Sequence, residues 1–399
     1  MPHSSGLSGF RHKIILKINS TKKMKELKKK KTNKKPDKIT GLIGGDKHRA
    51  GVRKFPSFKF FKMPRFIGRA IHYVILAAVV VIVLFGVLLI NYATNSIDNE
   101  KNITVLVEIP TGSSFLKVTK ILNQAGLVKS RFFFYSLAMT KRATRSIRAG
   151  EYEFNTSLTP VAVIDKLIRG EIKNYLVTIP EDFSMEEIAI RLAYSKLIDE
   201  ETFFELARDK NFLESLGIKA DSIEGYLFPD TYLFDRSMST RQIMKIMVSQ
   251  FWKKVTPEML KTAGELGFNP HQFVTFASIV GKESGDNAEK PMISAVFHNR
   301  LKKKMRLQSD PTAVYDLDNF DGKVLRKHLK RNSPYNTYII RGLPPGPIAN
   351  PGLTSLRAAL YPASVNYLYF VSKKDGSHFF SDSLDMHNEA IYRYRILKK

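Results

Sequence analysis

The stretch Asn-Pro-His-Gln-Phe-Val-Thr-Phe-Ala-Ser-Ile-Val-Gly-Lys-Glu, residues 269–283, predicts a buried helix. Asn269 is a typical N-cap residue, and Pro270 suits the first helical position, where a backbone N–H would have no partner in any case. Beyond them the apolar residues recur at intervals of three and four, the spacing of one helix face. The helix is therefore expected to turn a continuous apolar face towards a core.

Glu283, at the end of this stretch, is the most informative single residue. The apolar side chains that share its face are Val280, Ile279 and Phe276. This placement withdraws the carboxyl partly from water, which raises its pKa, and a carboxyl that is protonated near neutral pH can act as a general acid. The alternative is an ordinary exposed Glu in a fraying last turn, because Gly285 ends the pattern.

Residues 71–90 form an almost unbroken apolar run, and no Asp, Glu, Lys or Arg occurs between Ala70 and Ile97. A helix of this length, at about 1.5 Å per residue, crosses a hydrocarbon core of about 30 Å, so we predict a transmembrane helix at residues 71–92. A cleaved signal peptide is the alternative. The run is too long and too far from the N-terminus for that, and no small-residue cleavage site follows it.

Two thirds of the net charge of +27 precedes this helix, since residues 1–70 hold 21 Lys or Arg and three acidic residues. The positive-inside rule places the N-terminus in the cytoplasm and the chain after about residue 95 outside it. The Lys run at residues 28–31 could suggest a nucleic-acid tail, but no aromatic residue for base stacking interrupts it and the tail adjoins a membrane helix, so we expect no nucleic acid partner. Cytoplasmic disorder, with attraction to anionic membrane lipid, explains the tail.

The chain contains no Cys, which excludes thiol nucleophiles and thiolate metal sites. Neither a cofactor nor a metal site is predicted. A lack of Cys is compatible with any compartment, so the expected location depends on the membrane segment alone.

A repeat with an offset of 70 residues follows the membrane segment. Residues 106–110, Leu-Val-Glu-Ile-Pro, return as Leu-Val-Thr-Ile-Pro at 176–180, and the ungapped match has nine identities in 29 positions. Each copy predicts a strand, a turn and two helices, and the intervening chain predicts a strand at 150–154 and a helix at 160–169. Because the chain mixes short strands with helices, we expect an α+β fold class. Such units often bind glycans, but a duplicated packing unit is an equal alternative.

Residues 224–232, Glu-Gly-Tyr-Leu-Phe-Pro-Asp-Thr-Tyr, combine acidic and aromatic side chains in a loop or edge strand. This composition suits a sugar-binding surface, because sugar rings stack on Tyr and carboxylates bind hydroxyls, but ordinary turns share it. Three further stretches contain Pro, the last of them with several Pro and Gly residues, and predict stiff loops that would wall a groove for a polymer: 305–312, 333–338 and 342–352.

Taken together, these stretches resemble the MltG (YceG-like) family of endolytic murein transglycosylases of the bacterial inner membrane. The resemblance covers about residues 71–399 and does not include residues 1–70. It is carried by ordered motifs: Glu-Gly-Tyr-Leu-Phe-Pro-Asp-Thr-Tyr (224–232), Ala-Ser-Ile-Val-x-x-Glu (277–283), Phe-x-Asn-Arg-Leu (297–301), Met-x-Leu-Gln-x-Asp-Pro-Thr (305–312), Tyr-Asn-Thr-Tyr (335–338), Gly-Leu-Pro-Pro-Gly-x-Ile (342–348) and His-Asn (387–388).

The resemblance implies a LysM-like small α+β module at about residues 103–175 and an α+β catalytic domain at 176–399. It also makes Glu283 the catalytic acid. Many members have Glu or Gln where this chain has Gly281, so Glu283 is the sole candidate in its motif. The implied partners are peptidoglycan glycan strands and membrane lipid, with peptidoglycan synthases of the elongation or division machinery as a further expectation. The implied location is the inner membrane, with the catalytic domain in the periplasm.

The implied chemistry needs only one carboxyl. Glu283 would protonate the oxygen of the MurNAc–GlcNAc β-1,4 bond and then take the proton of the sugar's own 6-hydroxyl, which attacks C1 to give a 1,6-anhydro-MurNAc end. Such cleavage would terminate the elongation of nascent strands. The expected substrate-binding residues are Glu224, Tyr226, Gln308, Asp310, Tyr335, Asn336 and Tyr338.

Two alternatives stay open from the sequence. A muramidase-type hydrolase would use the same site with water as the attacking group, and Asp310 is expected to orient the site rather than act as its nucleophile. A protein of another class, a non-catalytic glycan-binding anchor that recruits cell-wall synthases, would also bind the cell wall. Only an enzyme would release soluble fragments.

Overall fold

The structure is a computed structural model that describes residues 65–96, 102–145, 147–318 and 320–396. The chain divides into two units, residues 1–71 and 72–399. Most of the predicted basic tail lies outside the described residues. Of the first unit, only the first turns of a long helix are described, and every other element belongs to the second unit.

The predicted transmembrane segment is helical. Helix α1 spans Arg65–Thr94, and its part from Arg69 to Thr94 is long and apolar enough to cross a membrane. It is the one such helix in the described part of the chain.

The next elements form a small domain around an antiparallel strand pair. Its elements are β1 (Thr104–Ile109), α2 (Phe115–Gln124), α3 (Arg131–Thr140), β2 (Gly150–Asn155) and α4 (Pro160–Arg169). Strands β1 and β2 pair in full, with Thr104 opposite Asn155 and Ile109 opposite Gly150. The strand and helix predicted between the two copies of the repeat are β2 and α4. Helix α4 begins at Pro160 after the N-cap Thr159 and ends at Gly170, whose φ of 63° is the left-handed C-cap that favours glycine.

The second copy of the repeat also begins with a strand and two helices and ends with a strand, but it has a third α-helix before that strand: β3 (Tyr175–Thr178), α5 (Met185–Tyr194), α6 (Glu200–Leu206), α7 (Lys210–Ser215) and β4 (Thr231–Phe234). Strands β3 and β4 pair antiparallel, as β1 and β2 do. Leu122 and Leu192 are both buried, in agreement with the offset of 70. At the second helix the offset becomes 69, because the N-caps are Ser130 and Asp199 and the fully buried ring after each cap is Phe134 and Phe203.

The remaining elements follow the second copy of the repeat, and we refer to residues 175–396 as the larger domain within the second unit. They are α8 (Thr240–Lys254), α9 (Pro257–Glu265), α10 (Pro270–Glu283), α11 (Lys290–Lys302), α12 (Asp310–Val314), α13 (Arg326–Leu329), α14 (Leu353–Leu360), β5 (Tyr369–Ser372), β6 (His378–Ser381) and α15 (Leu384–Ile391), followed by a π-helical turn at Tyr392–Ile396. Buried apolar residues form two clusters, one from Ala93 to Leu167 and the other from Val177 to Leu360. The α+β fold class predicted from the sequence is confirmed.

Candidate active site

Helix α10 is the central helix of the larger domain and carries Glu283 as its last residue. It begins as the sequence predicts, because the Asn269 side chain accepts from the Gln272 N–H at 2.9 Å and the Gln272 side chain accepts from the Asn269 N–H at 3.0 Å. All nine residues from Phe273 to Gly281 are buried, and the helix packs against α14 and contacts α9, α11 and α12. Glu283 therefore stands at the end of a rigid, buried element.

The carboxyl of Glu283 is mostly withdrawn from solvent and accepts a hydrogen bond from Ser309 Oγ. Burial raises the pKa of Glu283 to about 7. The Ser309 hydrogen bond and the Arg300 guanidinium oppose the rise, and the Asp310 charge adds to it. Near neutral pH such a carboxyl exists in both protonation states, as a group that must first give and then take a proton requires.

The loop that carries Ser309 is held by two buried side chains. Thr337 Oγ1 accepts from the Ser309 N–H at 2.9 Å. Arg300 donates from Nη1 to the Leu307 carbonyl at 2.5 Å and from Nε to the Leu368 carbonyl at 2.6 Å. The Thr337 contact joins the predicted loops 305–312 and 333–338, and Arg300 holds the first of these loops from α11. Ser309, which donates to Glu283, is therefore held by both Thr337 and Arg300.

Asp310 and Tyr338 form a second polar pair beside this carboxyl. Tyr338 Oη donates to Asp310 Oδ1 at 2.5 Å, and burial raises the pKa of Tyr338. Gln308 adopts a φ of 52°, the left-handed region that is uncommon for a residue with a side chain, and its Oε1 lies 3.5 Å from Arg300 Nη1. The structure thus brings together four residues selected from the sequence: Glu283, Gln308, Asp310 and Tyr338.

Glu224 is a second carboxyl with a raised pKa, but it lies in the interior and is 1% exposed. It accepts from the Met185 N–H at 3.0 Å, from Asn350 Nδ2 at 2.7 Å and from Tyr315 Oη at 2.9 Å. Burial raises the pKa of Glu224 to about 7, against the lowering effect of the Met185 and Tyr315 hydrogen bonds. Through these three hydrogen bonds the Glu224 carboxyl joins α5 to two segments that are distant in sequence.

Tyr226 and Asn336 are also interior residues. Tyr226 Oη lies 3.1 Å from His271 Nδ1, and its ring packs edge-on against Phe251. Asn336 is fully buried, and its side-chain amide donates to three carbonyl groups, at 2.7 to 3.4 Å, on His328, Leu329 and Arg331. In this structure both side chains hold loops in place and present no atoms to a groove.

Tyr335 is partly exposed at the rim of an open cavity of about 440 Å³. Its ring lies 4.8 Å from the ring of Tyr315, the residue bonded to Glu224, and burial raises its pKa. Sequence reasoning missed Ser309, Arg300, Tyr315 and Asn350. Ser309 and Arg300 lie inside the motifs at 305–312 and 297–301, and their place in those motifs is the sequence feature that could have identified them.

Gly281 faces the carboxylate of Asp182, which occupies the space where a side chain at position 281 would begin. Asp182 has a φ of 63° and accepts from the buried Lys290 Nζ at 3.2 Å. Lys290 also donates to Ser355 Oγ at 2.9 Å. A carboxylate therefore does stand beside this turn of α10, although it comes from the turn after β3 and not from the helix.

We expect Gly281→Ala to destabilise the protein by about 1–3 kcal/mol, because the added methyl group overlaps the Asp182 carboxylate. In an Asp182→Gly background the same change should be neutral or stabilising, since Ala favours a helix over Gly and the space is free. A double-mutant cycle of unfolding free energies measures this coupling. Equal costs in the two backgrounds would show that the overlap is relieved elsewhere.

Within the described ranges, no group of three or more His, Asp or Glu side chains is arranged to hold a metal ion. The chemistry considered below uses only the side chains of this chain.

The family model for the YceG-like family matches residues 107–393, well over half of the chain. This chain belongs to the YceG-like family. The resemblance inferred from the sequence motifs is confirmed, and the match includes the small domain, the Glu283 helix and the loops around it.

Two relatives of this family member carry the name endolytic murein transglycosylase. The chain is 36% identical over 318 residues to the one from Bacillus subtilis (strain 168), a match that covers 75% of this chain and 87% of the relative. It is 27% identical over 327 residues to the one from Streptococcus pneumoniae serotype 2 (strain D39), covering 74% of this chain but only 59% of the relative.

A crystal structure of a yceG-like protein from Listeria monocytogenes is also similar. Its sequence identity with this chain is 33% and the TM-score is 0.51. The match covers 73% of this chain and all of that chain.

Proposed function

We propose that this YceG-like protein is an endolytic murein transglycosylase with Glu283 as its single catalytic acid and base. The observation that carries the proposal is the Glu283 carboxyl itself, which ends a buried helix, accepts from Ser309 and has a pKa raised to about 7. The names of the two relatives supply the substrate class, murein, and the endolytic mode of cleavage.

In the proposed reaction Glu283 acts twice. Its proton passes to the glycosidic oxygen as the bond from C1 of MurNAc to that oxygen breaks, which leaves a free hydroxyl on GlcNAc. The 6-hydroxyl of the same MurNAc then attacks C1, and the Glu283 carboxylate takes the proton of that hydroxyl. One C–O bond breaks and one forms within the sugar, no water is consumed, and the acid is regenerated.

The remaining site residues would steady the positive charge that develops on the sugar ring. Asp310 is the carboxyl whose charge acts on Glu283, and Tyr338 donates to it, so this pair is suited to orient the sugar rather than to attack it. Gln308 and Tyr335 are the remaining candidates for sugar contact. Glu224, Tyr226 and Asn336 would act through the loops that they hold.

Further parts of the proposal concern the rest of the chain. The β1-α2-α3-β2 order supports a LysM-like module at about residues 103–175, which would hold glycan near the site. Helix α1 supports a single-pass location in the inner membrane, and the charge on residues 1–70 supports a cytoplasmic N-terminus. Endolytic cleavage next to the membrane would suit the termination of nascent strands and a partnership with synthases.

Mass spectrometry of the fragments released from purified sacculi tests the proposal. A transglycosylase leaves anhydro ends that are lighter by one water than the reducing ends left by a hydrolase. Anhydro ends produced by the wild type and lost in Glu283→Gln are expected. Reducing ends would identify a hydrolase, and sacculus binding without soluble fragments would identify a non-catalytic anchor.

We expect Ser309→Ala to shift the alkaline limb of the pH profile of kcat/KM upward by about half to one pH unit. The Ser309 hydrogen bond lowers the pKa of Glu283, so its loss raises that pKa and keeps the acid protonated to higher pH. Ser294→Ala is a matched control, because the buried Ser294 hydroxyl has no hydrogen-bond partner among the described residues. If the alkaline limb of the Ser309→Ala profile did not shift, the group that titrates in kcat/KM would not be Glu283.

A further inference from the structure

One face of α1 is covered by the small domain. Among the side chains described for this helix, all are exposed except those of Phe85, Leu89, Tyr92 and Ala93, which together with Gly86 follow the spacing of a single helix face. Tyr92 Oη donates to the Ser130 carbonyl at 3.2 Å, and its ring stacks on Phe133 at 5.5 Å. The N-terminal turn of α3 is therefore in direct contact with α1.

This contact extends into the apolar part of α1. The ring of Phe85 lies 5.9 Å from that of Phe133 and 6.0 Å from that of Phe132. Phe85 precedes Ile90, the last residue of the apolar run, by five positions, or roughly 7 Å along a helix at about 1.5 Å per residue. If α1 crosses the bilayer, the rings that touch Phe85 lie at or below the boundary between headgroups and acyl chains.

Phe132 is 66% exposed even though it lies at this depth. Lys129 and Arg131 beside it are exposed too, and Lys129 Nζ lies 3.4 Å from the Ser96 carbonyl at the end of α1. An exposed aromatic side chain directly after two basic residues is typical of a segment that inserts its ring into lipid and keeps its charges at anionic headgroups.

The second copy of the repeat provides an internal comparison. Counted from the N-caps, the first two helical residues are Arg131 and Phe132 in α3 but Glu200 and Glu201 in α6. Both copies of the repeat have a strand followed by two helices, and both have a fully buried ring four residues after the cap of the second helix. They differ in charge and polarity at this position, and the basic and aromatic version belongs to the copy that touches α1.

We propose that the N-terminal turn of α3 is a membrane-docking surface, with Phe132 inserted into the bilayer and Lys129 and Arg131 at anionic lipid headgroups. The occupant is the lipid into which α1 is anchored, because the surface is continuous with the apolar face of that helix. The small domain is then fixed against the membrane by two contacts, α1 and this turn. The orientation of the small domain relative to the membrane would then be fixed when it meets a glycan strand.

The absence of Cys makes the test direct. A nitroxide label at Phe132→Cys and a matched label at Glu201→Cys are placed in the full-length protein, reconstituted in vesicles of phosphatidylglycerol and phosphatidylethanolamine. Accessibility to oxygen, which concentrates in acyl chains, is compared with accessibility to a water-soluble nickel chelate. We expect the oxygen-to-nickel ratio at position 132 to be several-fold higher than at 201.

Equal ratios at the two positions would overturn the proposal, and would mean that Phe132 is free for a different occupant. Adding Lys129→Glu and Arg131→Glu to the Phe132→Cys protein should lower the ratio towards that of position 201; the change at 131 reproduces Glu200 of the second copy, and the change at 129 reverses the other charge. If the ratio did not change on reversal of the charges at positions 129 and 131, Lys129 and Arg131 would not contact anionic headgroups.

Discussion

Glu283→Gln should lower turnover on purified sacculi by at least about 100-fold, the range in which general acid–base catalysis contributes. The amide keeps the shape of the side chain and can still accept from Ser309, so the site should stay assembled. What is lost is the proton that the glycosidic oxygen needs and the base that the 6-hydroxyl needs. Release of soluble fragments over time is the measurement, and turnover near that of the wild type would end the assignment of Glu283.

The stability of the same variant serves as its folding control, and its pH dependence has a definite sign. The folded-state pKa of Glu283 is raised from 4.5 to about 7, so between these values the native state keeps a proton that the unfolded state has released. The contribution of Glu283 to wild-type stability therefore falls as the pH rises through this window. Glu283→Gln lacks this cost, and above about pH 7 it should be more stable than the wild type, by on the order of 1–3 kcal/mol.

Much of the fold could be predicted from local sequence because it is decided locally. Helix α10 begins at Asn269 and Pro270 through a cap that involves only the first turn, and the apolar spacing after it sets the buried face. The repeat could be predicted in the same way up to Leu127 and Leu197. Beyond that point the second copy has one residue fewer before its helix cap, and an ungapped comparison of Phe133 with Phe203 conceals the change.

The site could be predicted only in part, because its hydrogen bonds join segments that are far apart in the chain. Glu283 was predictable from helix spacing, but the Ser309 hydroxyl that bonds it lies 26 residues later and reaches it through the loop that Thr337 holds. The stretch 224–232 has a composition that fits a sugar-binding surface. Its first residue is buried instead, because Asn350 and Tyr315 fold over it.

Glu224→Leu is expected to destabilise the larger domain by at least about 3 kcal/mol. The substitution leaves three donors in the interior without an acceptor, the Met185 N–H, one N–H of the Asn350 amide and the Tyr315 hydroxyl, and each such buried group costs about 1–3 kcal/mol. Urea unfolding followed by the fluorescence of Trp252, the single Trp in the chain, measures the loss, because the Trp252 ring packs 6.1 Å from that of Tyr226 in the same core.

Two variants distinguish the loss of hydrogen bonds from other effects. Glu224→Gln resembles the protonated carboxyl, which is already substantially populated near pH 7, and it should cost no more than about 1.5 kcal/mol because the amide can accept from one side and donate to the Tyr315 oxygen. Glu205→Leu, at an exposed position on α6, should change stability by less than about 0.5 kcal/mol. If Glu224→Leu unfolded at the same urea concentration as Glu205→Leu, the Glu224 hydrogen bonds would not hold α5 to the segments that carry Asn350 and Tyr315.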